Sequence, residues 1–149
     1  MRRSLPILTL AAAALAAAAI VMPASASTGR AKVELSSTKL GKVLADGHGH
    51  TLYLFEKDRH AESACFSACA HAWPPLLTSS TPTAGSGVSA SKLGTTNRGN
   101  GVKQVTYNGH PVYRFVKDTR ARQTNGEGLK AFGAEWYALS AAGRKVDKD

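Results

Sequence analysis

Cys65, Cys69 and His71 fall in one short stretch, Cys65-x3-Cys69-x-His71, and are the residue types in this chain best suited to chemistry. Two thiolates and an imidazole are donors for copper(I) or zinc, and His48 and His50, on a Gly-rich turn, could approach them. The spacing is not the C-x-x-C-H of c-type haem attachment. The competing chemistry is oxidation, because the only two cysteines of an exported chain pair by default. At helical spacing their Cα atoms would lie roughly 6 Å apart. That is near the upper end of disulfide geometry, so a bridge needs a locally distorted turn. Such a bridge closes a tiny loop and contributes about 2 kcal/mol as a local staple. The compartment decides between a structural disulfide and a metal-binding or redox accessory site.

The N-terminus speaks for export. Arg2 and Arg3 precede an apolar stretch from Leu5 to Met22, and Ala24-Ser25-Ala26 fits the small-residue cleavage rule. Residues 1–26 read as a signal peptide and 27–149 as a single secreted domain, extracellular or associated with the cell wall. No Cys stands at the cleavage point to carry an acyl chain, and no later segment is apolar enough to span a bilayer. Export makes the Cys65–Cys69 disulfide the expected state, with the metal site as the alternative. The formal charge is +9, and +7 once Arg2 and Arg3 are removed. The cations are scattered, with no Arg-rich run or basic helix, which disfavours nucleic acid. Outside a cell, a diffuse positive surface favours anionic cell-wall or envelope polymers.

A second constellation occurs twice. Tyr53, Phe55 and Asp58 return as Tyr113, Phe115 and Asp118, sixty positions later. His48-Gly49-His50 aligns with Asn108-Gly109-His110, and Trp73 and Trp136 follow at nearly matching distances. Aromatic faces beside carboxylates suit sugars or cationic groups. Repetition favours a plainer role, with the rings as core and the aspartates capping turns or a helix start.

The elements that must position these residues are legible. The fold class expected is mainly β with short helices (α+β). Two tandem hairpin-plus-Trp-strand repeats, about 39–77 and 92–140, would pack in a pseudo-twofold arrangement. Lys32-Val33-Glu34-Leu35 alternates as a short strand. Asn108-Gly109 is a strong two-residue hairpin signal, placing Val105 opposite Val112 and Pro111 opposite Thr106, at an edge that tolerates its missing N–H. The same register in the first copy pairs Ala45 with Leu52 and Leu44 with Tyr53. Tyr53 and Phe55 share one strand face, Leu52 and Leu54 the other, so that strand is expected to be buried on both sides.

Ser63 to Ala72 reads as an Ala-rich helix, capped by Ser63 and stopped by Pro74-Pro75. Thr124 to Leu129 reads as a loop or single turn. Trp73–Leu77 and Trp136–Leu139 read as strands, and Thr78–Gly101 as a long connection with a short strand or turn near Val88–Leu93. Ser91-Lys92-Leu93-Gly94 echoes Thr38-Lys39-Leu40-Gly41, extending the duplication upstream. The ten aromatics past residue 26, chiefly Tyr53, Phe55, Trp73, Tyr113, Phe115 and Trp136, are expected to anchor one shared core.

The doubled Tyr-x-Phe-x-x-Asp, with Trp73-Pro74-Pro75-Leu76, Cys65/Cys69 and Gly126-Glu127-Gly128-Leu129, resembles the secreted-repeat family of bacterial envelope proteins. That family is described as predicted lipoproteins with a Y-x-(F/W/Y)-x-x-D motif, of unknown function. The resemblance runs from about Lys39 to Ser140. It implies the repeat architecture and an envelope setting, while the missing acylated Cys favours release into the medium or the wall.

Enzyme signatures are missing: no G-x-S-x-G, H-E-x-x-H, Walker loop or dinucleotide fingerprint is present. His60, His71 and His110 could each serve as a base, but none is paired with an evident nucleophile. The function expected is therefore a non-enzymatic binding or structural module without a cofactor. Its alternative is a copper or zinc accessory protein using Cys65, Cys69 and His71.

Overall fold

The computed structural model describes residues 29–99 and 101–147; the signal peptide read at 1–26 lies outside them. The fold is mainly β. An antiparallel pair, β1 (Lys32–Thr38) and β2 (Gly41–Asp46), turns at Gly41, whose φ of +95° suits glycine. Thr38 ties that turn, donating its hydroxyl to the Gly41 carbonyl and accepting the Leu40 N–H. Then come β3 (Tyr53–Phe55), a one-turn helix α1 (Ala68–Ala72), β4 (Leu77–Thr78) and β5 (Thr83–Ala84). A 3-10 turn at Ala90–Lys92 leads into β6 (Leu93–Asn97), followed by β7 (Lys103–Tyr107), β8 (His110–Pro111), β9 (Lys130–Ala131) and β10 (Ala134–Ala138). Three small sheets result, ordered β2-β1-β5, β3-β10-β9 and β4-β7-β6, with β8 on β7.

The repeats exchange strands. β10, from the second copy, pairs with β3 of the first, while β4 of the first pairs with β7 of the second. At the centre Tyr53 and Tyr113 form an antiparallel bridge, each N–H donating to the other's carbonyl, at 2.8 and 3.0 Å. Flanking bonds repeat across this point. Leu76 N–H to Val112 O is matched by Leu139 N–H to Leu52 O, and Val116 N–H to Ala72 O by Glu56 N–H to Glu135 O. These pairs define the pseudo-twofold.

Two clusters form: the six chief aromatics share one, as expected, and mainly aliphatic residues make a second. Leu52 and Leu54 face an aliphatic cluster with Val33, Leu44, Leu76, Val105, Val112 and Leu139. Tyr53 and Phe55 face an aromatic one with Trp73, Tyr113, Phe115 and Trp136. The strand between them is buried on both sides. Of the other aromatics, Tyr107 joins the aliphatic cluster, Tyr137 packs at its border, and Phe66 and Phe132 are exposed.

The second hairpin has the expected register, with Thr106 opposite Pro111 and Asn108 and Gly109 both at positive φ. The first differs by one residue: Ala45 pairs with Thr51, not Leu52. Its turn holds three residues, Gly47-His48-Gly49, because the Asp46 carboxylate accepts both the His48 and His50 N–H groups and Gly49 takes φ +83°.

The Ala-rich stretch is helical only over Ala68–Ala72. Its N-cap is Ser67, at φ 52° with no side-chain cap bond, and not Ser63. Trp73 ends this helix, donating its N–H to Cys69 O, so the first Trp strand is reduced to the Pro75 bridge and β4. Thr124–Leu129 is a run of turns. Upstream, β1–β2 and β6–β7 are matching antiparallel pairs, so the duplication extends there, but the residues of the echo do not correspond: Gly41 opens β2 after a turn whereas Gly94 sits within β6, opposite Thr106.

Candidate functional site

The duplicated tyrosines and aspartates meet across the repeats. Tyr53 donates its phenol proton to Asp118 Oδ2 at 2.5 Å, and Tyr113 donates to Asp58 Oδ2 at 2.8 Å. Each tyrosine leaves its strand toward the aromatic core, and each aspartate sits just past the end of the other copy's strand. The second oxygen of each aspartate caps local backbone: Asp58 Oδ1 accepts the Ala64 N–H and Asp118 Oδ1 the Asn125 N–H. The capping role expected of both aspartates is present, joined to a cross-repeat bond. Each phenol oxygen has one further partner, the Gly126 N–H for Tyr53 and Ser63 Oγ for Tyr113. Burial, then the facing carboxylate, push both phenols far above their ordinary range. Burial also raises Asp58 to about 6, against the opposing pull of its hydrogen bonds and of Arg98 and Arg59.

Above the tyrosines the rings form a continuous stack. Phe55 lies on Trp136 at 4.0 Å, Trp136 on Trp73 at 4.0 Å, and Trp73 on Phe115 at 4.1 Å. Tyr53 meets Trp73 edge-on and Tyr113 meets Trp136 edge-on. Both tyrosines and Trp136 are fully buried, so these faces take up core space and form no open aromatic platform.

The cysteines are joined, Cys65 to Cys69, with Cα atoms 5.2 Å apart and no free cysteine among the described residues. The bend at Ser67 brings them closer than helical spacing would. His71 stays exposed at the end of α1. With both sulfurs bonded to each other, the Cys65/Cys69/His71 donor set has no thiolate, and the described residues hold no cluster of three or more His, Cys, Asp or Glu suited to a metal.

Several residues that hold this region carried no sequence signal. Arg98, in the inter-repeat connection, donates to Ser63 Oγ and Gln104 Oε1 at 2.8 Å each and to the Cys65 carbonyl at 2.6 Å. Its guanidinium also covers Phe66. Gln104 is wholly buried and donates to Val112 O. One polar residue in a short β pattern gave no hint of that burial.

Two surface clefts flank the interlock and occupy equivalent places. The first, about 430 Å³, is lined by Leu54, Phe55, Glu56, Asp58 and Arg59, with His110 and Lys145. The second, about 240 Å³, is lined by Arg114, Phe115, Val116 and Asp118, with His50 and Pro74. Each joins one copy's strand end to the other copy's turn histidine. Burial lowers the His110 pKa.

A model of one protein family matches twice, over residues 35–77 and 94–140, the same two units that interlock here. The chain belongs to this family, a secreted repeat of unknown function. No curated protein and no solved structure matches the chain. Each family match ends on a Trp-bearing segment that crosses to the other copy. Among the described residues no helix is long and apolar enough to cross a membrane.

Proposed function

We propose that this chain is a non-enzymatic extracellular module that binds or organises anionic polymers of the cell wall or envelope through its surface. One observation carries the reading. The duplicated Tyr, Asp and Trp residues are spent on holding the two copies together, which leaves recognition to residues outside the interlock. The net positive charge gives such a surface its preferred sign of partner. The family's description as a secreted repeat fits that setting.

The test is retention of the purified protein on isolated wall and envelope fractions, with an elution gradient of salt. Salt-sensitive retention is expected. Failure to be retained by any fraction at low ionic strength would overturn the reading.

A further inference from the structure

We propose that the face of the second repeat around Arg114, Arg120 and Arg122 is a built binding site for a polymer carrying phosphodiester groups. The proposal rests on the envelope-module reading and names the site and ligand chemistry within it.

The duplication supplies an internal control. Sixty positions earlier, Leu54 stands where Arg114 is, His60 where Arg120 is, and Glu62 where Arg122 is. The first repeat makes the same strand end and an equivalent cleft without these arginines, although its loop takes another path, with positive φ at His60 and Ala61 where the second repeat has it at Arg122. Cations at these positions are therefore not what shapes the strand end or the cleft.

The loop that carries them is tightly held. The Arg122 N–H donates to Gly49 O at 3.1 Å, the Arg120 N–H to Gln123 Oε1 at 3.0 Å, and Thr51 Oγ1 to Gln123 O at 2.7 Å. A Cβ placed on Gly49 would meet Ala121 Cβ at 3.0 Å, so loop and turn are in direct contact. Arg122 takes φ +69°, a conformation that non-glycine residues adopt at a cost, and its side chain is exposed.

The carboxylates on this face are already engaged. Asp118 accepts Tyr53 and the Asn125 N–H. Asp46 accepts the His48 and His50 N–H groups and lies 3.6 Å from both Arg114 Nη1 and His50 Nδ1. Arg120, Arg122 and Lys117 form no ion pair among the described residues, and the buried Arg114 Nε and His50 Nδ1 have no hydrogen-bond partner. On the equivalent face of the first repeat, Glu56 is paired with Lys145.

Guanidinium groups present paired donors that match the oxygens of phosphate, and several on one rigid loop suit a ligand that repeats its anion along a chain. Free donors on Arg120 and Arg122, with Lys117 adjacent, give such a chain successive contacts.

The experiment measures binding of poly(glycerol phosphate) to the full secreted chain. A triple variant takes the first repeat's own residues: Arg114→Leu, Arg120→His, Arg122→Glu. A control, Lys42→Glu with Lys103→Glu, makes the same change in net charge on exposed sites elsewhere. The triple variant is expected to keep its thermal midpoint and lose more than about tenfold in affinity, and the unaltered protein to bind more weakly as salt rises. The control is expected to stay within about threefold of the unaltered protein, since distant exposed charges are screened.

No binding by the unaltered protein, equal binding by the triple variant, or an equal loss in the control would each overturn the site. Tighter binding to a carboxylate polymer of matched charge, or to vesicles of anionic lipid, would also overturn it. Retention of the triple variant on envelope fractions would sink the site and leave the envelope reading standing. Binding of the polymer at this face without retention on any fraction would do the reverse.

Discussion

Trp73 and Trp136 stack face to face at 4.0 Å, with ring planes 3° apart, and they come from opposite copies of the repeat. Each is flanked by a phenylalanine of the other copy, so the two halves share one aromatic column. The rings stacked on the faces of each tryptophan all come from the other copy, far away in sequence, and only the edge-on tyrosine is its own. Strand exchange and ring exchange act together: each repeat completes the other's sheet and ring column.

Removing either tryptophan opens a large void in that column. Trp73→Ala and Trp136→Ala are each expected to cost about 3–5 kcal/mol. The double variant is expected to lose less than the sum, because the first deletion already removes the shared contact. Urea titrations followed by circular dichroism read both. Strictly additive losses would contradict a single column.

The crossed Tyr–Asp bonds make a claim about coupling. A double-mutant cycle on Tyr53→Phe and Asp118→Asn is expected to show an interaction of about 1–3 kcal/mol, as for a hydrogen bond to a charged group. The cycle on Tyr53→Phe and Asp58→Asn, which share one sequence motif, is expected to be nearly additive. Coupling within the motif and none across it would mean that the copies are not interlocked as described.

Asp58 gives stability a pH dependence of definite sign. Burial raises it from 3.8 to about 6, so the folded carboxyl binds its proton more tightly than the unfolded one. Its contribution is fully present below 3.8 and is lost as pH rises through about 6. Asp58→Asn is expected to flatten the curve between those values relative to the unaltered protein. A curve of unchanged slope in Asp58→Asn would show that another group titrates there.

The disulfide is expected to matter on one side of the pseudo-twofold. It fixes the segment from Ser63 to Cys65, whose hydroxyl and N–H groups meet Tyr113 and Asp58. Cys65→Ser with Cys69→Ser should cost about 2 kcal/mol. Hydrogen exchange at Ala64 should accelerate, while exchange at Asn125, which caps on Asp118, should change little. Equal acceleration at both amides would deny the disulfide this local role.

Gly126 approaches the core too closely for a side chain. A Cβ there would lie 2.7 Å from Trp73 Cη2 and 2.9 Å from Tyr53 Cζ. Gly126→Ala is expected to destabilise by about 1–3 kcal/mol through overpacking. A shift in tryptophan fluorescence should accompany the loss, and an unaltered spectrum and stability would contradict the packing.

Much of this was legible in the chain. The duplication, the apolar faces of Leu52 to Phe55 and the Asn108-Gly109 register all follow from period and turn chemistry, which act over a few residues. The place of Pro111 opposite Thr106 follows from the same local rules. The first hairpin departs from the two-residue register because the Asp46 side chain takes two backbone N–H groups and adds a residue to the turn. The helix after Ser63 is shorter than its alanines imply because alanine propensity is weak beside a disulfide and a tyrosine hydroxyl that claims Ser63.

What the chain could not state by itself is which copy serves which. Two near-identical motifs carry identical local signals, so Tyr53 is matched equally well on paper by Asp58 and by Asp118. The same holds for the two Trp strands. Only the packed structure decides, because pairing over long separations is settled by which arrangement buries all the rings and satisfies every buried donor at once.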